Sequence, residues 1–327
     1  MQLISIKELS AIVSDELEVL DQYMKEQLRS STALLDTVVR YILRQRGKRA
    51  RPTLVFLSAG ACGGATHRAT VGAAMIEMLH TATLVHDDVV DHSAERRGMA
   101  SINAVWKNKI AVLVGDYLLS RGLLIAVHNN EFEFLRVTSR AVQRMSEGEL
   151  LQIQKSRQRT IDEETYFKII SDKTASLISA CCEIGAVSAG SSEHVQHVMR
   201  DFGELVGQAF QIRDDVLDYT SRSIILGKPV GNDIAEQKLT LPLIYACANA
   251  PKAEGTAVIK LVKGRKPRSR EIAIVTEFVE RYSGVTTAQN KAVELQQSAV
   301  RLLDVLPNTP FKSALVDFAK FVVERPS

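Results

Sequence analysis

Residues 75 to 91 read MIEMLHTATLVHDDVVD. Apolar side chains run almost unbroken to Val85, without proline and without the alternation of a strand. A helix that is apolar nearly all round belongs in the middle of a bundle. Its end is unlike its body, because Asp87, Asp88 and Asp91 crowd into consecutive turns. On a helix Asp87 and Asp91 share a face, with Asp88 about 100° round. Carboxylates placed this way repel one another, and their position between valines requires a counter-charge.

The same pattern continues outward. Between Thr53 and Lys228 there is no proline, and apolar residues recur every three and four positions, which predicts long helices. ETYFKIISDKTASLISACCEIGAVSAG (164 to 190) and FGELVGQAFQIRDDVLDYT (202 to 220) read as further buried helices whose Ala, Gly and Ser allow close packing. Breaks fall at RQRGKRARP (44 to 52), ACGGATH (61 to 67), SRSIILGKPVGND (221 to 233) and KGRKPRSRE (263 to 271). No strand-like alternation, fixed-period repeat or linker-like tract interrupts the chain. The expectation is one all-α domain of ten or more helices over residues 1–327.

Composition narrows the function. Lys plus Arg number 41 against 38 Asp plus Glu, a net charge of +3, and so weak a field is not that of a nucleic-acid binder. Cys62, Cys181, Cys182 and Cys247 form no CxxC pair and read as reduced thiols of a cytoplasmic protein. Charge enters by Lys7 and Glu8, which argues against a signal peptide. No segment approaches the roughly 20 apolar residues of a membrane span, so a soluble protein is expected.

Asp214, Asp215 and Asp218 repeat the spacing of the first cluster one for one. Hard divalent cations suit such carboxylates; Mg²⁺ typically takes one or two of them and completes its shell with water and phosphate oxygens. Two facing clusters would therefore hold a phosphate group through bridging metal. One DDxxD alone is equally well an acidic helix end, whereas two copies within apolar helices favour the metal. Fixed cations are also needed, and Arg96 and Arg97, then Lys48, Arg49 and Arg51, then Lys228 supply them. The GKPVGND segment is not a P-loop, since the earlier glycine is missing and Pro229 follows the lysine.

At this point the chain resembles the trans-isoprenyl diphosphate synthases, and among them the long-chain polyprenyl type. The resemblance rests on GKRARP (47 to 52), HDDVVDHSAERRG (86 to 98), KTASL (173 to 177), FQIRDDVLDY (210 to 219) and GKPVGNDIAEQKLTLP (227 to 242). It implies an all-α bundle around a deep central cavity, and a homodimer that joins isopentenyl diphosphate to an allylic diphosphate with Mg²⁺, three ions per site, giving a product that enters membranes, where it serves quinone side chains. By matching motif, Asp87, Asp91, Asp214 and Asp218 are the implied metal ligands. Asp87, Asp88, Asp91, Lys173, Thr174, Gln211 and Asp214 form the implied catalytic set. Lys48, Arg51, His80 and Arg97 match the isopentenyl diphosphate site, and Arg96, Lys173, Lys228 and Lys238 match the allylic diphosphate site, with Thr174 and Gln211 beside the reacting carbon. His80 alone would read as a core histidine. Two departures stand out: Gln237 and Lys107 replace glycines common in the family pattern.

Product length is read one turn below Asp87, about 6–7.5 Å deeper at 1.5 Å per residue, where Thr83 and Ala82 stand. Short-chain members resemble one another in carrying aromatic side chains there, so small residues imply a long product, octaprenyl within a hexa- to nonaprenyl range. Met78, Met75 and Met145 are further candidate lining residues, and Ala82 as a plain packing residue is the competing reading. Three rivals remain: His80, His86, Asp87 and Asp116 as ligands of an HD-type phosphohydrolase, a terpene cyclase, or the non-catalytic subunit of a heteromeric synthase. The first leaves GKRARP and the second DDxxD unexplained.

Overall fold

Small residues set how closely the central helices approach. In the computed structural model, which describes residues 5–45, 47–156, 162–220 and 231–325, the chain is all-α apart from one hairpin. It opens with α1 (Ile6–Ala11), α2 (Ser14–Gln27), α3 (Ala33–Arg44) and α4 (Ala50–Ala61), then α5 (His67–Val90). Ser5 and Glu8 close a reciprocal cap on α1, satisfying donors that a helix start leaves orphaned. The strands β1 (Glu95–Arg96) and β2 (Met99–Ala100) pair antiparallel, with Glu95 opposite Ala100. A ladder of two residues carries no alternation, so the sequence pattern misses it.

Next come α6 (Ile102–His128), α7 (Phe132–Ser156), α8 (Glu163–Ile170), a π turn (Ser171–Ala175), α9 (Ser176–Ser188) and α10 (Glu193–Thr220). The remainder is α11 (Asn232–Ala235), α12 (Leu241–Asn249), α13 (Lys252–Lys263), α14 (Ser269–Arg281), α15 (Gly284–Leu302) and α16 (Pro310–Glu324). Every residue of α9 is buried. It can be enclosed because glycines stand at its contacts: a Cβ on its own Gly185 would lie 2.5 Å from the Val55 carbonyl of α4. On α10, Cβ atoms on Gly203 and Gly207 would fall 2.6 and 2.5 Å from Ser179 and Ala175. These positions accept no side chain without moving a backbone.

The main core joins α1 to α7, α9, α10, α15 and α16. A smaller cluster of Tyr219, Ile234, Leu239, Leu243, Val258 and Phe278 lies under α12 to α14, and Val285 packs against both. One expectation needs correction. By length and composition α6 does qualify as a membrane span among the described residues; the scattered Lys107, Lys109, Asp116 and Arg121 hide this from a count of unbroken apolar residues. One side of it packs on α5, and the other exposes Val112, Leu113, Leu123, Leu124 and Val127. Lys228 lies outside the described residues.

Candidate active site

The end of α5 separates the first three aspartates by role. Asp87 and Asp91 are exposed, whereas Asp88 is buried and receives Arg96 Nε at 2.9 Å and a second, shorter bond from Arg96 Nη2. Asn103 also donates to the Asp88 carbonyl at 3.0 Å. Asp88 thus anchors the β1–β2 hairpin, and Arg96, expected at the allylic diphosphate, is turned inward onto it. Through this pair the hairpin is tied to the first aspartate cluster, while Asp87 and Asp91 stay exposed. Asp87 is held above the usual carboxylate range by partial loss of hydration, then by Glu149 and Asp91, with Lys173 and Arg96 pulling the other way. Repulsion of this kind is relieved by a cation.

Among the described residues no three His, Cys, Asp or Glu side chains form a ready metal cage. Asp87 and Asp91 stay open, a donor set that fits an ion completing its shell with phosphate oxygens. Asp214 is taken up by the Arg325 guanidinium, which also stacks 4.2 Å over the Phe210 ring. Both Asp218 oxygens accept backbone N–H groups, from Asn232 at 3.1 Å and Asp233 at 3.0 Å. The four expected metal ligands are therefore not equivalent here: two are free and two are held by protein. The HD-type reading fails on placement, because His86 lies 3.5 Å from Asp116 on the α6 side while His80 is buried among arginines.

Lys173 and Thr174 stand in the π turn, where an extra residue per turn changes the direction of neighbouring side chains. The turn is locked from α7 and α10. Arg144 donates to Asp172 at 2.7 Å and bidentately to Glu204 at 2.9 and 2.7 Å, while Lys168 pairs with Asp172. Burial opposes the charge of Asp172, yet the bonds from Lys168 and Arg144 hold its carboxyl below the usual range. Gly148 of EGELLQ has no room for a side chain, since a Cβ would sit 2.9 Å from both Asp172 Cβ and the Lys173 amide nitrogen. Glu149 and Gln152 of the same segment receive Lys173 Nζ, at 2.5 and 3.4 Å.

Behind the turn lies a cavity lined by Lys173, Thr174, Gln211, Asp215, Asp233 and Lys238. Thr174 Oγ1 donates to Gln211 Oε1 at 2.9 Å, Gln211 Nε2 to Asp215 at 3.0 Å, and Tyr166 Oη to Asp215 at 2.6 Å. Burial pushes Asp215 up to about 7 against the bonds from Tyr166 and Gln211. Asp233 is raised to about 6 by burial, which Lys238 opposes and Asp218 reinforces. Lys238 reaches Glu236 at 2.7 Å and Asp233 at 3.5 Å. Lys173 is the joint between the two acidic helix ends: it acts on Asp87 and lines one cavity with Asp215.

Arg49 of GKRARP stands on another side of α5. A second cavity is lined by Gly47, Arg49, Glu77, Arg96, Arg97 and, at its apolar end, Met78. Arg97 donates to the Gln45 carbonyl at 2.9 Å, and Arg49 pairs with Asp21 at 2.5 Å. Arg51 keeps a buried Nε without a hydrogen-bond partner, an orphan that an anion would satisfy. Burial, with Arg51, Arg97 and Arg96 adding to it, drives His80 down to about 2. Lys48 is exposed.

The proposed chain-length residues fall on two faces. Thr83 lies below Asp87 and donates to the His80 carbonyl at 2.8 Å. Met75, Met78, Ala82 and His86, spaced three and four apart, share a different face; it meets α6, where a Cβ on Gly122 would lie 3.7 Å from Met78 Cβ. Ala82 is 2% exposed and Met145 is partly buried against the main core. Sequence reasoning passed over Tyr166, Glu149 and Arg325, and gave Asp215 no role beyond its place in the second cluster. Tyr166 and Arg325 had no local signal.

The comparisons with known proteins agree with this geometry. The polyprenyl synthetase family model matches residues 32–279. An all-trans-nonaprenyl-diphosphate synthase (geranyl-diphosphate specific) of Rhodobacter capsulatus is 37% identical over 322 residues, covering 98% of each chain. An octaprenyl diphosphate synthase of Escherichia coli is 34% identical over 98% of this chain and 99% of that one. The crystal structure of a decaprenyl diphosphate synthase from Rhodobacter capsulatus superposes with a TM-score of 0.91 at 32% identity, over 98% and 99% of the two chains. With the family model matched over residues 32–279 and a relative 37% identical over 98% of the chain, the chain belongs to the polyprenyl synthetase family.

Proposed function

We propose that the protein is a Mg²⁺-dependent trans-polyprenyl diphosphate synthase that extends an allylic diphosphate, farnesyl or geranylgeranyl, with isopentenyl diphosphate. The single observation that carries this reading is the position of Lys173, a cation set between the open carboxylates of α5 and the Gln211–Asp215 cavity of α10. Asp87 and Asp91, with Asp214 and Asp218 from α10, would hold Mg²⁺, which when bound would supply positive charge to a leaving diphosphate. Lys173 and Lys238 bind that diphosphate and favour ionisation of its C–O bond by stabilising the charge gathered on oxygen. Thr174 and Gln211 face the resulting allylic cation. Arg51, Arg97 and His80 hold isopentenyl diphosphate, and the double bond of that substrate attacks the cation. The released diphosphate takes up the proton then lost, which leaves a chain five carbons longer.

A long product, octaprenyl within a hexa- to nonaprenyl range, is supported by the names of the relatives and by Ala82 and Thr83, which put no aromatic floor below Asp87. Such a product partitions into membranes while the enzyme works in the cytoplasm. A second copy of the chain is the proposed cover for the exposed stripe of α6. The test is product chromatography after incubating purified protein with farnesyl diphosphate, isopentenyl diphosphate and Mg²⁺. Elongation is expected, whereas release of phosphate alone would overturn the reading. Asp87→Ala should lower turnover by about two to three orders of magnitude with an unchanged far-ultraviolet circular dichroism spectrum; near-normal turnover would remove Asp87 from the metal site.

A further inference from the structure

We infer that Tyr166 and Asp215 are positioning residues that fix the direction of the hydrogen bonds at Thr174, so that its oxygen, and not its proton, faces the allylic cation. The inference rests on the proposed role of Thr174 and adds two residues to it. The order of the chain follows from donor chemistry. Both Asp215 oxygens accept, one from Tyr166 Oη at 2.6 Å and the other from Gln211 Nε2 at 3.0 Å. With its nitrogen drawn to Asp215, the Gln211 amide can offer Thr174 only its oxygen. Thr174 Oγ1 must then donate, at 2.9 Å. Turning the amide over would bring its oxygen to Asp215 and its nitrogen to Thr174, reversing both bonds that the structure holds.

Thr174 and Lys173 line the same cavity, and with its proton given to Gln211 the Thr174 oxygen has only lone pairs to offer there. An oxygen aimed in advance stabilises a cation without reorganising as charge develops. It also does not trap the cation. A bond from Oγ1 to carbon would require the Thr174 proton to pass to the Gln211 amide oxygen, a very weak base, so electrostatic contact is favoured over ether formation. Tyr166 is 4% exposed and Asp215 4%, and in so dry a setting an unmade bond at Asp215 is costly.

The test is steady-state kinetics with farnesyl and isopentenyl diphosphates on Tyr166→Phe, Thr174→Val and the double variant, together with binding of an unreactive thiolo analogue of the allylic diphosphate. Tyr166→Phe should lower kcat about tenfold, the worth of one such hydrogen bond, while both KM values and analogue binding stay within about twofold. The double variant should be no slower than Thr174→Val alone, because nothing is left to orient. A normal kcat in Tyr166→Phe, lost analogue binding in that variant, or multiplied penalties in the double variant would overturn the inference and leave the site reading intact. A normal kcat in Thr174→Val is the distinct result that would sink the site reading, and this inference with it.

Discussion

His80 is a neutral imidazole facing Arg51, Arg97 and Arg96, so it can serve a diphosphate only through hydrogen bonding. His80→Gln, which keeps an uncharged donor, should therefore retain kcat within about threefold, as read in the elongation assay. Its stability should also respond differently to acid. The folded value near 2 lies below the ordinary 6.5; as pH falls below that ordinary value, the unfolded chain takes up a proton that the folded one refuses. Stability is thus lost as pH drops through this window, by about 1.4 kcal/mol per pH unit. Urea titrations between pH 6 and 4 should show a shallower loss for the glutamine variant; equal slopes would mean that His80 is solvated.

The two departures from the family pattern share a cause at the same scale. Lys107 has φ 72 and ψ 162 inside α6, and Gln237 has φ 60. Both lie in backbone regions that favour glycine. The sequence shows that glycine is missing, and the backbone shows why glycine would be there. Lys107→Gly should raise stability by about 1 kcal/mol, since relief of strain exceeds the added freedom of the unfolded chain. Thermal unfolding checks this, and a lower midpoint would show that Lys107 has contacts of its own. The Gln237 amide donates to the Val262 carbonyl at 2.9 Å, which offsets strain there.

At the scale of the element, α5 presents different chemistry on each face. Asp87, Thr83 and His80 follow one line, Met75, Met78, Ala82 and His86 another, and Asp88 with Arg96 a third. The i, i+4 rule made this division readable, while the neighbour on each face was not, because partners come from packing. Ala82→Phe should shorten the products towards the farnesyl or geranylgeranyl class by steric fill, with about 1–3 kcal/mol lost where α5 meets α6. Chromatography of the products and thermal unfolding separate the two effects. Unchanged product length with reduced stability would make Ala82 a packing residue only. The π turn is the counterpart case: KTASL marks the residues, but Gly148, Arg144 and Asp172 decide where they point.

For the whole molecule, the uncovered apolar stripe of α6 is the main unfinished business of the fold. Leu113 is 55% and Leu124 42% exposed, beside Val112, Leu123 and Val127, and an apolar patch of this kind marks an interface. With a second copy as its cover, Leu113→Glu combined with Leu124→Glu should convert a dimer to a monomer in analytical ultracentrifugation, at protein concentrations in the micromolar range. An unchanged mass would remove α6 from the interface. The proposal of a single folding unit over residues 1–327 is supported by Val285, which joins the main core to the cluster under α12 to α14.

By itself the sequence determined the helical class, the identity of the acidic and basic motifs and the chemistry they imply, because helix periodicity and charge crowding act within a few residues. Only the tertiary structure decided which aspartates remain open. Asp88 is claimed by Arg96 eight residues away, Asp215 by Tyr166 from α8 and Asp214 by Arg325 from the chain's far end. Counter-charges are assigned by proximity in space, and two triplets with identical spacing can therefore fold into sites that are not alike.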